Sequence, residues 1–203
     1  MKVVLASGNQ GKLREIQSIL SDSPIHLIPQ SEYKVPEAIE NGLSFVENAI
    51  IKARFASQLT DLPAIADDSG IELDALNGAP GIYSARYAGQ GAGDKANNAK
   101  LLQDMLSVPD GKRQARFQCV IVFMRHHLDP MPIICQGTWE GELLHQASGD
   151  NGFGYDPLFY VPEQQCSSAQ LSPELKNSIS HRGQALALFA RALKKHFPLM
   201  SSQ

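Results

Sequence analysis

The chain has 203 residues, of which 43% are hydrophobic and 19% charged, and its formal net charge is −3. This composition supports an ordinary buried core, and the length suits one domain or one domain with two lobes. No dense stretch of Lys or Arg is present, which excludes a nucleic-acid polymer as the expected partner, because polymer binding needs a basic surface. Three cysteines without CxxC spacing indicate free thiols of a reducing compartment.

The sequence contains no segment typical of membrane targeting. The first residue leads directly into a short apolar run, and no stretch approaches ~18 consecutive apolar residues. We therefore expect a cytoplasmic protein with no membrane partner. Its charge still permits the binding of a single nucleotide, which needs only a few local cations.

Hydrophobic periodicity predicts alternating strands and helices from the start of the chain. The apolar run Val3–Ala6 predicts a strand, and helical spacing of apolar residues predicts a helix from about residue 11. A second strand is expected at Ile25–Ile28, and the stretch 32–41 is irregular.

A capping box marks the start of the second helix, because Ser44 and Glu47 stand in S-x-x-E spacing. Ala64–Ala66 then predicts a short strand. The polar cluster Asp67–Gly70 that follows it is expected to be a loop.

The rest of the chain continues the alternation and predicts an α/β fold of one unit over residues 1–203. The predicted elements are a long glycine-containing loop at 77–93, a helix with Asp94 as N-cap that continues through Leu106, a central strand at Ala115–Met124, two strands at Pro132–Trp139 and Glu142–Leu144, a glycine- and aromatic-rich segment at 152–161, a helical turn opened by Ser172 and Pro173, and a last helix at His181–His196.

The first polar cluster has the composition of an anion site. It consists of Ser7, Gly8, Asn9, Gln10, Gly11 and Lys12. Its glycines allow the backbone to approach an anion, the helix N-terminus adds partial positive charge, and Lys12 adds a full one. The spacing is not that of a Walker A loop, because Leu13 stands where a hydroxyl is required. An ordinary strand-to-helix turn would have the same composition.

The second polar cluster contains the adjacent carboxylates Asp67 and Asp68. Successive residues of a strand point to opposite faces, so only one of the two can readily face a given metal, and the other would have a structural role. A helix N-cap or an Asx turn is the alternative interpretation. Mg²⁺ prefers one or two carboxylates with water and phosphate, and Glu40 is the candidate for the second. Lys52 could reach the same anion, although a helical Lys more often faces solvent.

Two further clusters have polar and aromatic groups suited to a ligand. Phe153 and Tyr155, set between glycines and followed by Asp156, could stack on a base or could be ordinary core residues. Lys176 and Arg182 supply cations, and the fork of Arg182 suits a carbonyl or phosphate oxygen, although a water-facing Arg explains it equally well.

Taken together, these clusters resemble the inosine/xanthosine triphosphate pyrophosphatases, which hydrolyse deaminated purine nucleoside triphosphates. The matching stretches are SGNQGK at 7–12, ENGLSFVENAIIKA at 40–53, ADDSGIELDALNGAPGIYSARYAG at 66–89, FGYDP at 153–157 and SHRGQA at 180–185. They extend over nearly the whole chain, and the likeness is to the bacterial members.

The resemblance implies a mixed sheet flanked by helices, two lobes with a substrate cleft between them, and a homodimer. It also implies Mg²⁺-dependent hydrolysis of ITP, dITP or XTP to the nucleoside monophosphate and pyrophosphate. By the same resemblance, residues 7–12 hold the phosphates, Glu40 and Asp68 face the metal, and Lys12 and Lys52 neutralise phosphate charge. The implied substrate contacts are Ser69, Phe153, Gly154, Tyr155, Asp156, Lys176, His181 and Arg182.

The residue types suggest a mechanism in which water attacks the α-phosphorus and cations stabilise the developing negative charge. Asp68 would hold the metal, or would orient and deprotonate the water, and Asp67 completes the catalytic set. We expect donors from Arg182 or the backbone near His181 to pair with the 6-keto oxygen, which adenine lacks.

A non-hydrolysing nucleotide sensor and a phosphotransferase are the competing hypotheses. The adjacent carboxylates argue against the sensor, and the missing Walker loop argues against the phosphotransferase.

Overall fold

The computed structural model describes residues 1–196, which form seven strands and five α-helices joined by loops and short 3₁₀ turns. The strands are β1 Lys2–Ala6, β2 His26–Pro29, β3 Ala64–Leu73, β4 Gln114–Met124, β5 Ile133–Leu143, β6 Phe159–Val161 and β7 Cys166–Ser167. The helices are α1 Gln10–Ile19, α2 Phe45–Thr60, α3 Asp94–Asp104, α4 Pro173–Ile179 and α5 His181–His196. None of the helices within residues 1–196 is long and apolar enough to span a bilayer.

The strands form one mixed sheet in the order β2-β1-β3-β4-β5-β6-β7. Strand β1 pairs in parallel with β2 and with β3, whereas β6 pairs antiparallel with β5 and with β7. The α/β class with a mixed sheet, expected from the sequence, is confirmed, and β4 occupies the central position that its long alternating pattern predicted.

The chain divides into two compact units. The first contains residues 1–68, 119–137 and the chain from Arg182 onward, and the second contains residues 69–118 and 138–181. Strands β3, β4 and β5 contribute residues to both units. The candidate site residues of the first unit are therefore described separately from those of the second.

Alternation along the strands builds two cores in the first unit, one on each face of the sheet. Val3 and Leu5 of β1 pack with apolar residues of α1 and α5, while Val4 and Ala6 pack with the alanine-rich face of α2. Every second residue of a strand points to the same face, so one strand supplies both cores. This arrangement places the N-terminus of α1 and the side chains of α2 beside β3.

The second unit has its own core beneath α3. Ile71 and Leu73 of β3 pack with Trp139 of β5, and Leu101 and Met105 at the C-terminal end of α3 complete the cluster. All five residues are almost completely buried. The C-terminal part of α3 is therefore held in the core, and its first turns lie beside the loops that follow β5.

The polar cluster Asp67–Gly70, expected to be a loop, lies inside β3, which is the first of two errors in the strand predictions. The strand runs without interruption through Leu73, and Asp67 and Asp68 are both buried. Asp and Gly are poor strand formers, which is why the sequence pattern indicated a turn. Cations from α1, α2 and α5 pair with the two carboxylates, and this pairing permits their burial in a strand.

The second error is at β5, which is one strand rather than two. Its buried and exposed residues alternate without a break through Gly141. A Cβ at Gly141 would lie 2.4 Å from the carbonyl oxygen of Tyr160, so this glycine allows close approach of β6 instead of making a turn.

Smaller differences concern element ends. Helix α3 begins at Asp94 with Gly93 as its N-cap, not with Asp94 as the cap, and it ends at Asp104. The long loop 77–93 contains a 3₁₀ turn at Gly81–Arg86. Ser44 is confirmed as the N-cap of α2, since the backbone N–H of Glu47 donates to Ser44 Oγ at 3.3 Å, and Glu47 Oε2 in turn accepts from the backbone N–H of Leu43 at 2.8 Å.

Candidate functional site

The adjacent carboxylates of β3 separate into two polar clusters within the first unit. Asp67 Oδ1 lies 2.6 Å from Lys12 Nζ, and Asp68 Oδ1 lies 2.6 Å from Lys52 Nζ. Their side chains leave opposite faces of the strand, as the alternation of strand residues predicted. Each carboxylate therefore has its own cationic partner on a different helix, Lys12 on α1 and Lys52 on α2.

The Asp67 cluster joins four segments of the chain, and Asp67, Cys119 and Arg182 within it are almost completely buried. Arg182 Nε donates to Asp67 Oδ2 at 2.8 Å, and the Arg182 guanidinium also pairs with the Glu15 carboxylate. The thiol of Cys119 donates to Asp67 Oδ2 at 3.1 Å. Two cations and two carboxylates thus meet in one place, and this balance of charge makes their burial tolerable.

Charge pairing decides the ionisation of Asp67. Burial by itself raises the pKa of this carboxyl, but Arg182 and Lys12 outweigh burial and hold the pKa well below its usual range. The opposite holds for the neighbouring thiol, since burial, together with the Asp67 charge, raises the pKa of Cys119 well above its usual value. Asp67 is therefore ionised at neutral pH, and Cys119 is a protonated donor.

Local sequence explains how Lys12 reaches Asp67. Asn9 is the N-cap of α1, and its Oδ1 accepts from the backbone N–H of Lys12 at 3.0 Å. Within residues 7–12, only residues 7–9 precede the helix, because Gln10, Gly11 and Lys12 form its first turn. Glu15 lies one turn beyond Lys12, on the same helical face. The helix therefore presents an acid and a base together to Asp67 and Arg182.

The Asp68 cluster contains Lys52 and Glu40, the two residues that sequence reasoning placed there. Lys52 Nζ lies 3.4 Å from Glu40 Oε2 and bridges the two carboxylates. Burial raises the pKa of Asp68, and the nearby Lys52 and Lys12 offset only part of that effect. Burial also opposes the charge of Lys52, but Asp68 and Glu40 outweigh it and the pKa of Lys52 is raised.

One oxygen of Asp68 is not satisfied within the protein. Asp68 Oδ2 is buried and has no hydrogen-bond partner among the described residues. A buried carboxylate oxygen without a partner is costly, so its presence calls for a ligand or an ion. A hard cation such as Mg²⁺ fits this oxygen, because Mg²⁺ takes one or two carboxylates and completes its shell with water and phosphate oxygens. Across residues 1–196, no group of three His, Cys, Asp or Glu side chains could hold a metal without such help.

The second unit contains the aromatic loop, which we define as residues 152–156. Asp156 is buried, and its carboxylate accepts from the Phe153 backbone N–H at 2.8 Å, from Ser168 Oγ at 3.0 Å and from Lys176 Nζ at 2.5 Å. Lys176 Nζ also lies 5.0 Å from the centroid of the Phe153 ring. Asp156 thus ties the loop to Lys176. A Cβ at Gly152 would lie 2.1 Å from Asp156 Oδ2, so the close approach of the Asp156 carboxylate to residue 152 requires glycine there.

The other predicted contacts in the second unit are embedded in packing. The His181 ring stacks on Phe117, with 4.7 Å between ring centroids, and is almost fully buried. Tyr155 donates its hydroxyl to the Ser84 carbonyl at 2.7 Å, and burial raises the pKa of that hydroxyl. Ser69 follows Asp68 in β3 and is half-buried.

The predicted site residues therefore fall into two sets. Residues 7–12, Glu40, Lys52, Asp67, Asp68 and Arg182 belong to the first unit, and Ser69, Phe153, Gly154, Tyr155, Asp156, Lys176 and His181 belong to the second. Within each set, direct contacts join most of the charged members.

Sequence reasoning missed several residues that hold these sets in place. They are Glu15 and Cys119 beside Asp67 and Arg182, and Asp94, Asn98 and Ser168 beside the aromatic loop. Only Glu15 carried a usable signal, namely its position three residues after Lys12 on one helix face. The others make contacts that join distant parts of the chain, and no local pattern reveals such contacts.

Fold and site together define an α/β protein with two charge clusters around adjacent strand carboxylates, and one of these carboxylates has a buried oxygen that makes no hydrogen bond within residues 1–196. Comparison with known proteins identifies the group. The profile of the Ham1 family matches residues 3–192. The chain belongs to the Ham1 family.

Named relatives and solved structures agree with that assignment. A dITP/XTP pyrophosphatase of Vibrio cholerae serotype O1 is 59% identical over 194 residues, which cover 96% of this chain and 97% of the relative. One of Vibrio parahaemolyticus is 60% identical over 191 residues, covering 94% and 96%. The structure of a HAM1 protein from Coxiella burnetii is 51% identical, with a TM-score of 0.89 over 96% of this chain and 99% of that one.

Proposed function

We propose that this protein hydrolyses deaminated purine nucleoside triphosphates (ITP, dITP and XTP) to the nucleoside monophosphate and pyrophosphate. Such an activity would remove these nucleotides before they enter DNA and RNA. The observation that carries the proposal is the Asp68 cluster, where a buried carboxylate oxygen that has no hydrogen-bond partner in the described part of the chain lies beside Lys52 and Glu40. Relatives at 59% and 60% identity that are named dITP/XTP pyrophosphatases support the choice of substrate.

The first unit supplies groups for the triphosphate. The N-terminus of α1 offers backbone N–H groups and partial positive charge at residues 7–12. Lys12 is bound to Asp67, but an ammonium group has three donors, so it can hold Asp67 and a phosphate oxygen together. Lys52 does the same from α2 while it pairs with Asp68. Preplaced cations of this kind stabilise the charge that builds up on phosphoryl oxygens as water attacks the α-phosphorus.

Asp68 and Glu40 are the residues that would hold Mg²⁺. When bound, the metal neutralises phosphate charge and lowers the pKa of a coordinated water. Asp68 Oδ1 remains fixed by Lys52, so the direction of Oδ2 is set before any ligand arrives. That oxygen can bind the metal, or it can orient the attacking water and accept its proton.

The second unit supplies groups for the base. Phe153 offers an aromatic face, and Lys176 offers a cation whose position Asp156 fixes. Donors of the backbone near His181, or of Arg182, which belongs to the first unit, would pair with the 6-keto oxygen that distinguishes hypoxanthine and xanthine from adenine. Arg182 pairs with Asp67 and Glu15, and its planar guanidinium has the donor geometry that suits a keto oxygen. We also propose a homodimer in the cytoplasm, on the family resemblance.

Pyrophosphate release from ITP, XTP, GTP and ATP, measured with Mg²⁺ and with EDTA, tests the proposal. We expect pyrophosphate and monophosphate from ITP and XTP only, and only with Mg²⁺, because the carboxylate pair needs the metal to accept a triphosphate. Nucleotide binding without product would indicate a sensor instead. Release of orthophosphate with a nucleoside diphosphate would contradict attack at the α-phosphorus.

A further inference from the structure

The geometry points to Asp94 and Asn98 of α3 as positioning residues that hold the aromatic loop in the conformation required for binding the base. The inference rests on the proposed function in one respect, that the aromatic loop contacts the base. Neither residue needs to touch the substrate, since both act on the backbone of Gly154.

The two side chains bind the Gly154 peptide from one helix. Asp94 Oδ2 accepts from the Gly154 backbone N–H at 2.7 Å, and Asn98 Nδ2 donates to the Gly154 carbonyl at 3.0 Å. Asp94 and Asn98 are four residues apart in α3, so they project from the same helix face. The donor and the acceptor of a single loop residue are thus both held by α3.

Gly154 needs such external support. Its φ is +61°, in the left-handed region, and among residues 1–196 no atom outside Gly154 and its two chain neighbours lies within 4 Å of the position that a Cβ would occupy, so no side-chain packing at this residue fixes its conformation. Glycine adopts many backbone conformations at little cost, and contacts from elsewhere must select one. Asp156 holds the preceding Phe153 N–H from inside the loop. The pair on α3 holds the next residue, so Phe153 lies between two fixed points.

Helix α3 is itself well anchored. Asn97 on the same face accepts from the Ala88 N–H at 2.8 Å and donates to the Ala85 carbonyl at 3.2 Å. Further along the helix, Leu101 and Met105 are fully buried in the core of this unit. A rigid element therefore carries Asp94 and Asn98, which is what positioning of a flexible glycine loop requires.

If the pair is lost, the aromatic loop populates other conformations, and the apparent dissociation constant rises in inverse proportion to the fraction of molecules whose loop remains competent to bind. We expect Asp94→Ala to weaken binding of IMP, the product of ITP, by roughly 10-fold, and Asn98→Ala by a smaller factor. Binding of Mg²⁺-tripolyphosphate, which lacks a base, should stay at the wild-type value in both variants.

Asp94→Asn is the matched variant. Asp94 lies in the first turn of α3, where its negative charge interacts favourably with the helix dipole. Asp94→Ala and Asp94→Asn both remove this charge and therefore destabilise the helix to a similar extent. Only Asp94→Asn keeps an oxygen that can accept from Gly154. Asp94→Asn should therefore bind IMP as the wild type does, and Lys95→Ala, at the exposed neighbouring position, serves as a second control.

Amide hydrogen exchange at Phe153 and Tyr155 tests the positioning of the aromatic loop separately from its contact with the base. Faster exchange in Asp94→Ala, with wild-type exchange in Asp94→Asn, is expected whether or not a nucleotide binds. Unchanged exchange in Asp94→Ala would overturn the positioning role. If exchange changes as expected but the wild type neither binds IMP nor hydrolyses ITP, the proposed function fails while the structural role of α3 stands. Equal IMP binding by wild type and Asp94→Ala would overturn the link to the base.

Discussion

Replacing Asp68 with Asn should lower kcat for ITP by at least roughly 100-fold while leaving the fold intact. The carboxylate charge is what holds a cation or accepts a proton at Oδ2, and an amide does neither. Because Asn has nearly the same shape, Lys52 keeps an oxygen at the position of Oδ1 and keeps Glu40 at 3.4 Å. The measurement is steady-state pyrophosphate release at saturating ITP and Mg²⁺.

Stability distinguishes this loss from unfolding. The pKa of Asp68 is raised by burial, so ionisation of this carboxyl opposes folding at every pH above its unfolded pKa. A neutral side chain removes that penalty, but it also removes one of the carboxylates that raise the pKa of Lys52, so the two effects oppose each other. Asp68→Asn should therefore still unfold cooperatively in urea at pH 7, as a folded protein does. Asp61→Asn is the control, because Asp61 caps α2 in the left-handed region, where Asn is well tolerated. Near-normal turnover in Asp68→Asn would remove Asp68 from the mechanism.

Replacing Asp67 with Asn should instead lower the free energy of unfolding by about 3–5 kcal/mol at pH 7. Asp67 is completely buried between Lys12 and Arg182, and its neutralisation leaves these buried cations with the charge of Glu15 alone in the cluster. Urea unfolding measures the loss. Asp110→Asn is the matched control, since Asp110 pairs with His145 on the surface, where such pairs contribute little.

The pH dependence of that difference follows from the lowered pKa of Asp67. A carboxyl whose pKa is lowered in the folded state stabilises the fold fully above its unfolded pKa of about 3.9, and this contribution is lost as the pH falls toward the folded value. The difference in free energy of unfolding between the wild type and Asp67→Asn should thus be constant above about pH 5 and should decrease below about pH 4. Equal stabilities at pH 7 would contradict the role assigned to the Asp67 cluster.

The fold was predictable where local pattern and tertiary packing agree. The capping box at Ser44, the alternation in β4 and the apolar face of α5 each located an element, and the structure confirms all three. Prediction failed at β3 and at β5, where charge pairing or close strand approach permits residues that usually mark turns. Such contacts join residues distant in the sequence, so no local window contains them.

The site was predictable to a similar degree. Adjacent residues of a strand face opposite ways, which predicted different roles for Asp67 and Asp68. The structure gives the two carboxylates separate cationic partners. The structure places Asp67 in a buried cluster that fixes Lys12 and Arg182. Asp67 is therefore better described as a residue that positions these cations than as one that takes part in the reaction. Glu15 and Cys119 were not predicted as members of the site, because only the folded chain brings them to the Asp67 cluster.

In the function that we propose, Asp68 Oδ2 binds a metal ion together with the substrate. The most direct measurement is anomalous diffraction from crystals grown with Mn²⁺ in place of Mg²⁺ and with a non-hydrolysable ITP analogue. We predict a manganese peak in contact with Asp68 Oδ2, absent from crystals of Asp68→Asn grown under the same conditions. A manganese peak that lies away from Asp68, with the analogue bound and Oδ2 still lacking a ligand, would contradict it.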